Sequence, residues 1–380
     1  MEEKTLDLTF DEMRVNMGPQ HPASHGVFRA QLLLEGEEIK QLTPHIGYLH
    51  RGVEKLAESL TYVQNVPIMA RNDYLGPVAN ELVMSRVVER LANIPVPERA
   101  QYLRVIAAEL HRISSHLVWL GTFSLDLGGA LGGGSTIFLY TFELREKILD
   151  VFEAWTGARF HPNLVMIGGV RYEMPDGLDQ QILQALDEIE SRMHEIMEML
   201  EGNPVFMERT RGVGILSQEL ALSLGCSGPV LRGSGIAFDI RKAYPYEVYD
   251  RMEFEVPTGT IGDVYDRYSV RVHEIFESIK IIRQALQELP SGPLGSRPPV
   301  KVPVAIRPPK GEIYERIESP RGELGVYLVS DGSPKPYRLK LRSPSFSNLQ
   351  AIQFLVVGHK VADVVAILGS LDPVFGDVDR

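Results

Sequence analysis

Pro95-Val-Pro-Glu-Arg-Ala-Gln-Tyr-Leu-Arg-Val-Ile-Ala-Ala-Glu-Leu-His-Arg-Ile-Ser-Ser-His-Leu-Val-Trp-Leu120 is the stretch on which the fold turns. Its apolar residues Leu103, Ile106, Leu110, Ile113, Leu117 and Leu120 are spaced 3,4,3,4,3, which puts them on one stripe of an α-helix. That helix should be long and centrally packed. The same periodicity predicts helices near 51–65, 75–93, 136–155, 176–200 and 260–288, so residues 46–290 read as a helical core.

On either side the pattern changes. Residues 1–45 form an N-terminal β region: Leu6, Leu8 and Phe10 alternate, as do Met13, Val15 and Met17, and Val27 to Leu34 runs into a Glu35-Gly36-Glu37 turn. Seven prolines between Pro290 and Pro309 make 291–311 extended and end the helical core. In 312–380, strands over 313–318, 324–330 and 337–341 are joined by turns at Ser319-Pro-Arg-Gly322 and Asp331-Gly-Ser-Pro334. A short helical tail over about 347–369 follows. The expected class is α+β, a mainly helical core with small β-sheet regions at both ends, treated as one domain.

At 380 residues and 44% hydrophobic composition, the chain can bury a large core. Thirty-nine basic against fifty acidic residues, a net charge of -11, argue against a nucleic acid as the main partner. Cys226 is the only cysteine, so no disulfide forms within the chain, and one thiolate does not hold an iron–sulfur cluster. Electron carriers are therefore expected in other chains. No uninterrupted apolar run of about 18 residues occurs, and the Met-Glu-Glu-Lys-Thr start lacks a signal-peptide profile. Membrane contact should be peripheral.

Three segments carry side chains suited to chemistry: Gly18-Pro-Gln-His-Pro-Ala-Ser-His-Gly26, Arg71-Asn-Asp-Tyr-Leu75, and Trp119 to Asp126 at the end of the long helix. His21 and His25 stand four apart, but that spacing makes a metal pair only on a helix, which Pro22 and Gly26 disfavour. Taken singly, Asp126 reads as a cap or salt-bridge partner and Tyr74 as an interface tyrosine. Gly212-Val-Gly214 alone does not make a dinucleotide-binding loop, so the chain itself should bind neither NADH nor flavin.

Together the motifs resemble the 49 kDa subunit family of respiratory complex I, called the D subunit in bacteria. The matching elements are Gly18 to Gly26, Ile46-Gly-Tyr-Leu-His-Arg-Gly-Val-Glu-Lys55, Arg71 to Tyr74, Glu109-Leu-His-Arg-Ile-Ser-Ser-His116, Leu231-Arg-Gly-Ser-Gly235, Pro320-Arg-Gly-Glu-Leu-Gly325 and Gly376 to Arg380. The end of the chain, Asp372-Pro-Val-Phe-Gly-Asp-Val-Asp-Arg380, is also similar to the metal-binding tail of nickel–iron hydrogenase large subunits. Val374, Asp377 and Arg380 stand where that tail has its Cys, Cys and His. Valine has no lone pair and arginine is a permanent cation, so no soft metal is expected there.

The resemblance implies a fold like the hydrogenase large subunit and a role in proton-translocating NADH:quinone oxidoreductase. It implies that His25 and Tyr74 bind and act on the quinone headgroup, that Asp126 pairs with His25, and that Arg71 and His161 lie near an iron–sulfur cluster of the neighbouring B subunit. The C subunit and the membrane-embedded H subunit are the other implied partners. The clusters and FMN belong to partner chains. The location implied is peripheral, on the cytoplasmic side of the bacterial inner or plasma membrane. Two-electron reduction of a quinone needs two protons, which a histidine and a phenol can supply, and a carboxylate behind the imidazole favours its charged form.

One segment departs from the family: Asp126-Leu-Gly-Gly-Ala-Leu-Gly-Gly-Gly-Ser135 is longer and richer in glycine than the family's short segment. Rival readings are an active hydrogenase, which the missing thiolates oppose, and a non-catalytic scaffold, which the presence of His25 and Tyr74 opposes. A third, the equivalent component of a complex fed by ferredoxin or reduced deazaflavin, differs only in chains other than this one.

Overall fold

The computed structural model describes residues 12–21, 26–128, 133–294 and 305–380. At the front, β1 (Glu12–Met17) is followed by the two-residue strands β2 (Gln20–His21) and β3 (Gly26–Val27), then β4 (Arg29–Glu35) and β5 (Glu38–His45). β1, β4 and β5 make an antiparallel sheet in that order, burying Ala30, Leu32 and Leu34 along one face of β4. The strand expected around Leu6 to Phe10 lies outside the described residues. In the Gly18 to Gly26 element, where proline and glycine disfavour a helix, Gln20 pairs with Val27 and His21 with Gly26. Both residues keep the N–H groups that their proline neighbours lack, so a short ladder survives there.

The helix expected over 51–65 is two: α1 (Val53–Ala57) and α2 (Tyr62–Met69). Thr61 restarts the chain with a capping box, its hydroxyl accepting from Gln64 N–H at 3.4 Å while Gln64 accepts from Thr61 N–H at 3.0 Å. Then come α3 (Pro77–Ala92), the long α4 (Glu98–Gly128) and α5 (Gly134–Thr156). A small hairpin, β6 (Val165–Met166) and β7 (Gly169–Val170), interrupts the helical core before α6 (Leu178–Glu201). Between 202 and 263, frequent glycine and proline cut the chain into short helices: α7 (Pro204–Thr210), α8 (Gln218–Ser223), α9 (Gly228–Gly233) and α10 (Ile240–Ala243). α11 (Val264–Gln287) closes the core, its first turn capped by Asp263 on Asp266 N–H at 2.8 Å.

The C-terminal sheet has the order β10-β9-β8, with β8 (Gly311–Ser319) and β9 (Gly322–Ser330) joined by the expected tight turn and β10 (Arg338–Arg342) at one edge. The expected helical tail is three short helices, α12 (Pro344–Leu349), α13 (Ile352–Leu355) and α14 (Val361–Leu371), and a last turn, α15 (Phe375–Asp379), carries the terminus. The α+β expectation is borne out.

α4 packs against α3, α5, α11 and α14 and is buried on nearly every side. Its predicted apolar stripe is inaccessible to solvent, but so are Arg104, Glu109, Arg112 and His116 on its other faces. These polar groups are met inside the protein. Arg112 holds Glu109 at 3.0 Å, Arg241 holds Glu109 at 3.1 Å and Asp239 at 2.7 Å, and Arg232 bridges Glu274 at 2.6 Å and Glu318 at 2.8 Å. Burial alone would raise the Glu109 carboxyl, yet Arg112 and Arg241 outweigh it and bring it down to about 2.

Glu81 on α3 is a buried carboxyl of the opposite kind. It accepts the Val165 N–H at 3.0 Å and so anchors the segment that leads into β6. Burial pushes it up to about 7, against the pull of the Asn163 to Val165 amides and Arg171. A raised carboxyl gives stability that is complete below its unfolded value near 4.5 and is lost as the pH climbs through 7. Glu81→Gln cannot ionise and escapes that loss. Urea unfolding of the purified chain should find the variant more stable than wild type at pH 8 by on the order of 2 kcal/mol, with the gap shrinking at pH 5. The same difference at both pH values would contradict this.

Candidate functional site

The C-terminal tail is the piece around which the site is built. α14 ends at Asp372, which turns the chain in a left-handed conformation (φ 52°), and residues 374–379 run on buried. Asp379 spreads its carboxylate over two amides, accepting from Gly47 N–H and Leu49 N–H at 2.7 Å each, while its carbonyl meets His50 Nδ1 at 2.7 Å. Asp377 accepts from the Ser343 hydroxyl at 2.6 Å and from Ser345 N–H at 3.3 Å. Arg380 donates to the Leu341 carbonyl at 3.2 Å and lies over the Phe346 ring at 4.7 Å. These polar side chains of the tail are thus committed to the protein's own backbone, hydroxyl and aromatic groups.

Two adjacent tail residues touch the two segments singled out in the sequence. Phe375 stacks on Phe28 at 5.2 Å and presses its edge on Gly26, where a Cβ would come within 2.7 Å of the ring. Gly376 lies flush on the Arg71 to Gly76 turn, where a Cβ would be 2.6 Å from the Asn72 carbonyl oxygen and 3.4 Å from the Tyr74 ring. The end of the Gly18 to Gly26 element and Tyr74 therefore meet on neighbouring residues of one strap. His25 itself lies outside the described residues, and so does its expected pairing with Asp126.

Tyr74 is half-buried. Burial pushes its phenol up, the Arg321 guanidinium works against that, and the Asp73 and Asp372 carboxylates add to it, so the phenol is a neutral donor near pH 7. Asp73 fixes the turn from within, accepting from Leu75 and Gly76 N–H at 3.1 Å each and from Arg321 Nη1 at 2.9 Å. Arg71 is exposed, with its guanidinium bonded to the Pro67 carbonyl. His161, half-buried on the segment after α5, is kept below the usual histidine range by burial and then by the charge of Arg71. The two residues thus lie near enough for the charge of one to act on the other. Asp126 sits in the last turn of α4, just past Phe123, which packs on Gly369 of α14.

Sequence reasoning gave no role to Asp73, Arg321, Asp372 or Gly376, although the quoted motifs contain them. Their signal was an unusual arginine between proline and glycine at 320–322 and a carboxylate beside Tyr74. Among the described residues, no group of three or more histidines, cysteines or carboxylates is arranged to hold a metal ion, and no helix is long and apolar enough to cross a membrane.

Residues 132–304 and 300–380 match the family described as the respiratory-chain NADH dehydrogenase 49 Kd subunit. The chain is 48% identical over 374 residues to the NADH-quinone oxidoreductase D subunit of Desulforamulus reducens, spanning 98% of this chain and 100% of that one. The chain belongs to this 49 kDa family. The D subunit of Dehalococcoides mccartyi is also 48% identical, over 96% of this chain and 98% of its own. NADH-quinone oxidoreductase subunit 4 of Thermus thermophilus is 46% identical over 100% and 96%. Likeness over almost the whole length ties the 49 kDa family chain to its relatives through the front sheet, the helical core and the tail alike.

The close seating of Gly376 yields a test. Gly376→Ala must displace the Asn72 carbonyl, a backbone atom, so it should cost about 1–3 kcal/mol and loosen the Tyr74 turn. The expected readout is a lower thermal midpoint with faster amide exchange across residues 71–76. An unchanged midpoint and exchange pattern would show that the strap does not bear on that turn.

Proposed function

We propose that this chain is the quinone-site component of a proton-translocating NADH:quinone oxidoreductase. Membership of the 49 kDa family supports this reading, and one observation carries it furthest: Phe375 and Gly376 bind the element bearing His25 and the turn bearing Tyr74 side by side. The quinone headgroup binds between His25 and Tyr74. Electrons reach it from an iron–sulfur cluster of the B subunit, whose side of the chain is the Arg71 and His161 face. The C subunit and the membrane-embedded H subunit complete the surroundings, with the chain held peripherally on the cytoplasmic side of the membrane.

Reduction adds two electrons and two protons to the quinone, turning both carbonyl oxygens into hydroxyls. The Tyr74 phenol donates one proton and the His25 imidazolium the other, and both are reprotonated from solvent-connected groups. Asp126 stands behind His25 and stabilises its charged form. The chain holds no metal or flavin of its own: Val374 offers no lone pair, Asp377 is bonded to Ser343 and Ser345, and Arg380 is turned onto Phe346. FMN and the clusters belong to its partners.

The test compares two rates in the assembled complex. Tyr74→Phe, His25→Ala and Asp126→Asn should each lower NADH:quinone turnover by about tenfold to a hundredfold, the worth of one hydrogen bond to a charged group. NADH oxidation by ferricyanide, an acceptor that bypasses the quinone, should be unchanged. The Asp126→Asn defect should vary with pH, because that variant keeps the shape and loses the charge. Quinone turnover within about twofold of wild type in all three, or an equal fall in both rates, would refute the assignment.

A further inference from the structure

Arg321 occupies the turn between β8 and β9, a strand pair packed on α3. Its backbone is locked. Its N–H donates to the Ser319 hydroxyl at 3.3 Å, its carbonyl accepts from Asn348 Nδ2 at 3.1 Å, and the glycines on both sides of the contact leave no room for a side chain. A Cβ on Gly322 would fall 2.6 Å from the Ser227 hydroxyl, and one on Gly228 would fall 2.6 Å from the Arg321 carbonyl. From this fixed base the side chain, removed from solvent, reaches the turn that carries Tyr74. Nη1 donates to Asp73 at 2.9 Å and to the Ser115 hydroxyl at 3.1 Å, and Nη2 donates to Asp372 at 3.4 Å.

A buried guanidinium costs several kcal/mol to desolvate, on the order of what one good ion pair returns. Elsewhere in the core Arg104, Arg232 and Arg241 bind Glu89, Glu274 and Asp239, and Arg271 of α11 lies 3.9 Å from Asp372. Arg321 joins the residue next to Tyr74 to the first residue of the tail. We propose that Arg321 is a positioning residue for Tyr74: the fixed cation, seated between Asp73 and Asp372, that offsets the negative charge left on the phenol oxygen when its proton passes to the quinone.

The charged groups that act on the phenol come from three elements, Asp73 from its own turn, Arg321 from the β8–β9 turn and Asp372 from the tail; Asp377 acts on Asp73 from behind, and Arg271 of α11 lies 3.9 Å from the far oxygen of Asp372. Of the three that act on the phenol, only Arg321 favours the phenolate. Without it, the departing proton would leave a third negative charge beside two carboxylates. With Arg321 between Asp73 and Asp372, the site holds the proton at rest and tolerates its loss during turnover. A lysine at 321 would keep the charge but not the two-armed grip on Asp73 and Asp372.

This inference rests on Tyr74 being a proton donor to the quinone, and the experiment separates the two. In the assembled complex, Arg321→Gln should lower NADH:quinone turnover about tenfold or more, chiefly through kcat, with the ferricyanide rate intact. Arg321→Lys should recover most of the loss. Placed in a Tyr74→Phe background, Arg321→Gln should have less than about a twofold further effect, because the group it serves is gone. If Tyr74→Phe alone leaves turnover intact, the reading of Tyr74 as a proton donor fails, and this inference with it. If Tyr74→Phe is impaired and Arg321→Gln adds its full loss on top, only the role of Arg321 fails. Arg321→Gln with Asp372→Asn removes one charge of each sign and keeps the buried set balanced. Should the single and the double variant both fail to assemble, Arg321 serves the fold rather than the phenol and the proposal is overturned.

Discussion

The buried carboxylates of the tail hold the rest of the site in place. An ionised carboxylate withdrawn from water has to be met by donors, and the donors that meet these come from distant parts of the chain. Asp379 takes two amides of the loop before α1, Asp377 takes the start of α12, and Asp372 takes Arg321 from the C-terminal sheet. Three carboxylates spaced over eight residues thereby tie the front of the helical core, the C-terminal sheet and the helices after it to one strap. Residues 375 and 376 have little freedom left once their neighbours are bound, which is why an aromatic ring and a bare backbone can form the shared wall between two otherwise remote elements.

The same logic runs through α4. An ordinary surface helix is apolar on one side and wet on the other. α4 is dry on both, and its second side is charged. Burying Glu109, Arg112 and His116 there is tolerable because Arg241 of α10 pairs with Glu109, Arg112 pairs with Glu109 and donates to the Glu318 and Ser319 carbonyls of β8, and Glu274 of α11 meets both His116 and Arg232 of α9. Hydrophobic residues of similar size would fill that space at less cost, but they would accept many arrangements. Directional pairs accept few. The core therefore holds its neighbours at fixed registry, and Trp119 carries that registry to the tail by donating to the Gly369 carbonyl of α14 at 2.7 Å.

How much of this was legible in the sequence follows from the range of each signal. The period of Leu103 to Leu120 is local and strong, and it located α4, though it did not reveal that the opposite face is buried as well. Helix ends were legible where a cap or proline marked them and missed at Thr61, whose capping box splits a run of otherwise helical residues. The short helices between 202 and 263 carry too few turns for a period to register. Of the candidate site, the motifs themselves were legible, Tyr74 among them. Arg321, Asp73 and Gly376 stayed invisible in their roles because each acts across more than 200 residues, and a single chain holds no record of such pairs.

The residues that replace ligands in the tail show a different way of fixing a strap. In the hydrogenase-like pattern that it resembles, thiolates would fix the strap by coordination to a common centre, whereas here each position finds a separate place. Val374 is buried, Asp377 is bonded by a hydroxyl and an amide, and Arg380 is spread over an aromatic face. Coordination bonds draw several ligands to one point, whereas hydrogen bonds and ion pairs distribute the same constraint over separate partners. Beside the tail stands the half-buried phenol of Tyr74, raised by burial, with the Arg321 guanidinium held by the neighbouring Asp73. On the proposed function, a substrate whose oxygens gain protons as it gains electrons is served by such donors, and the pairing of Arg321 with the Tyr74 turn is the part of that proposal the geometry bears on.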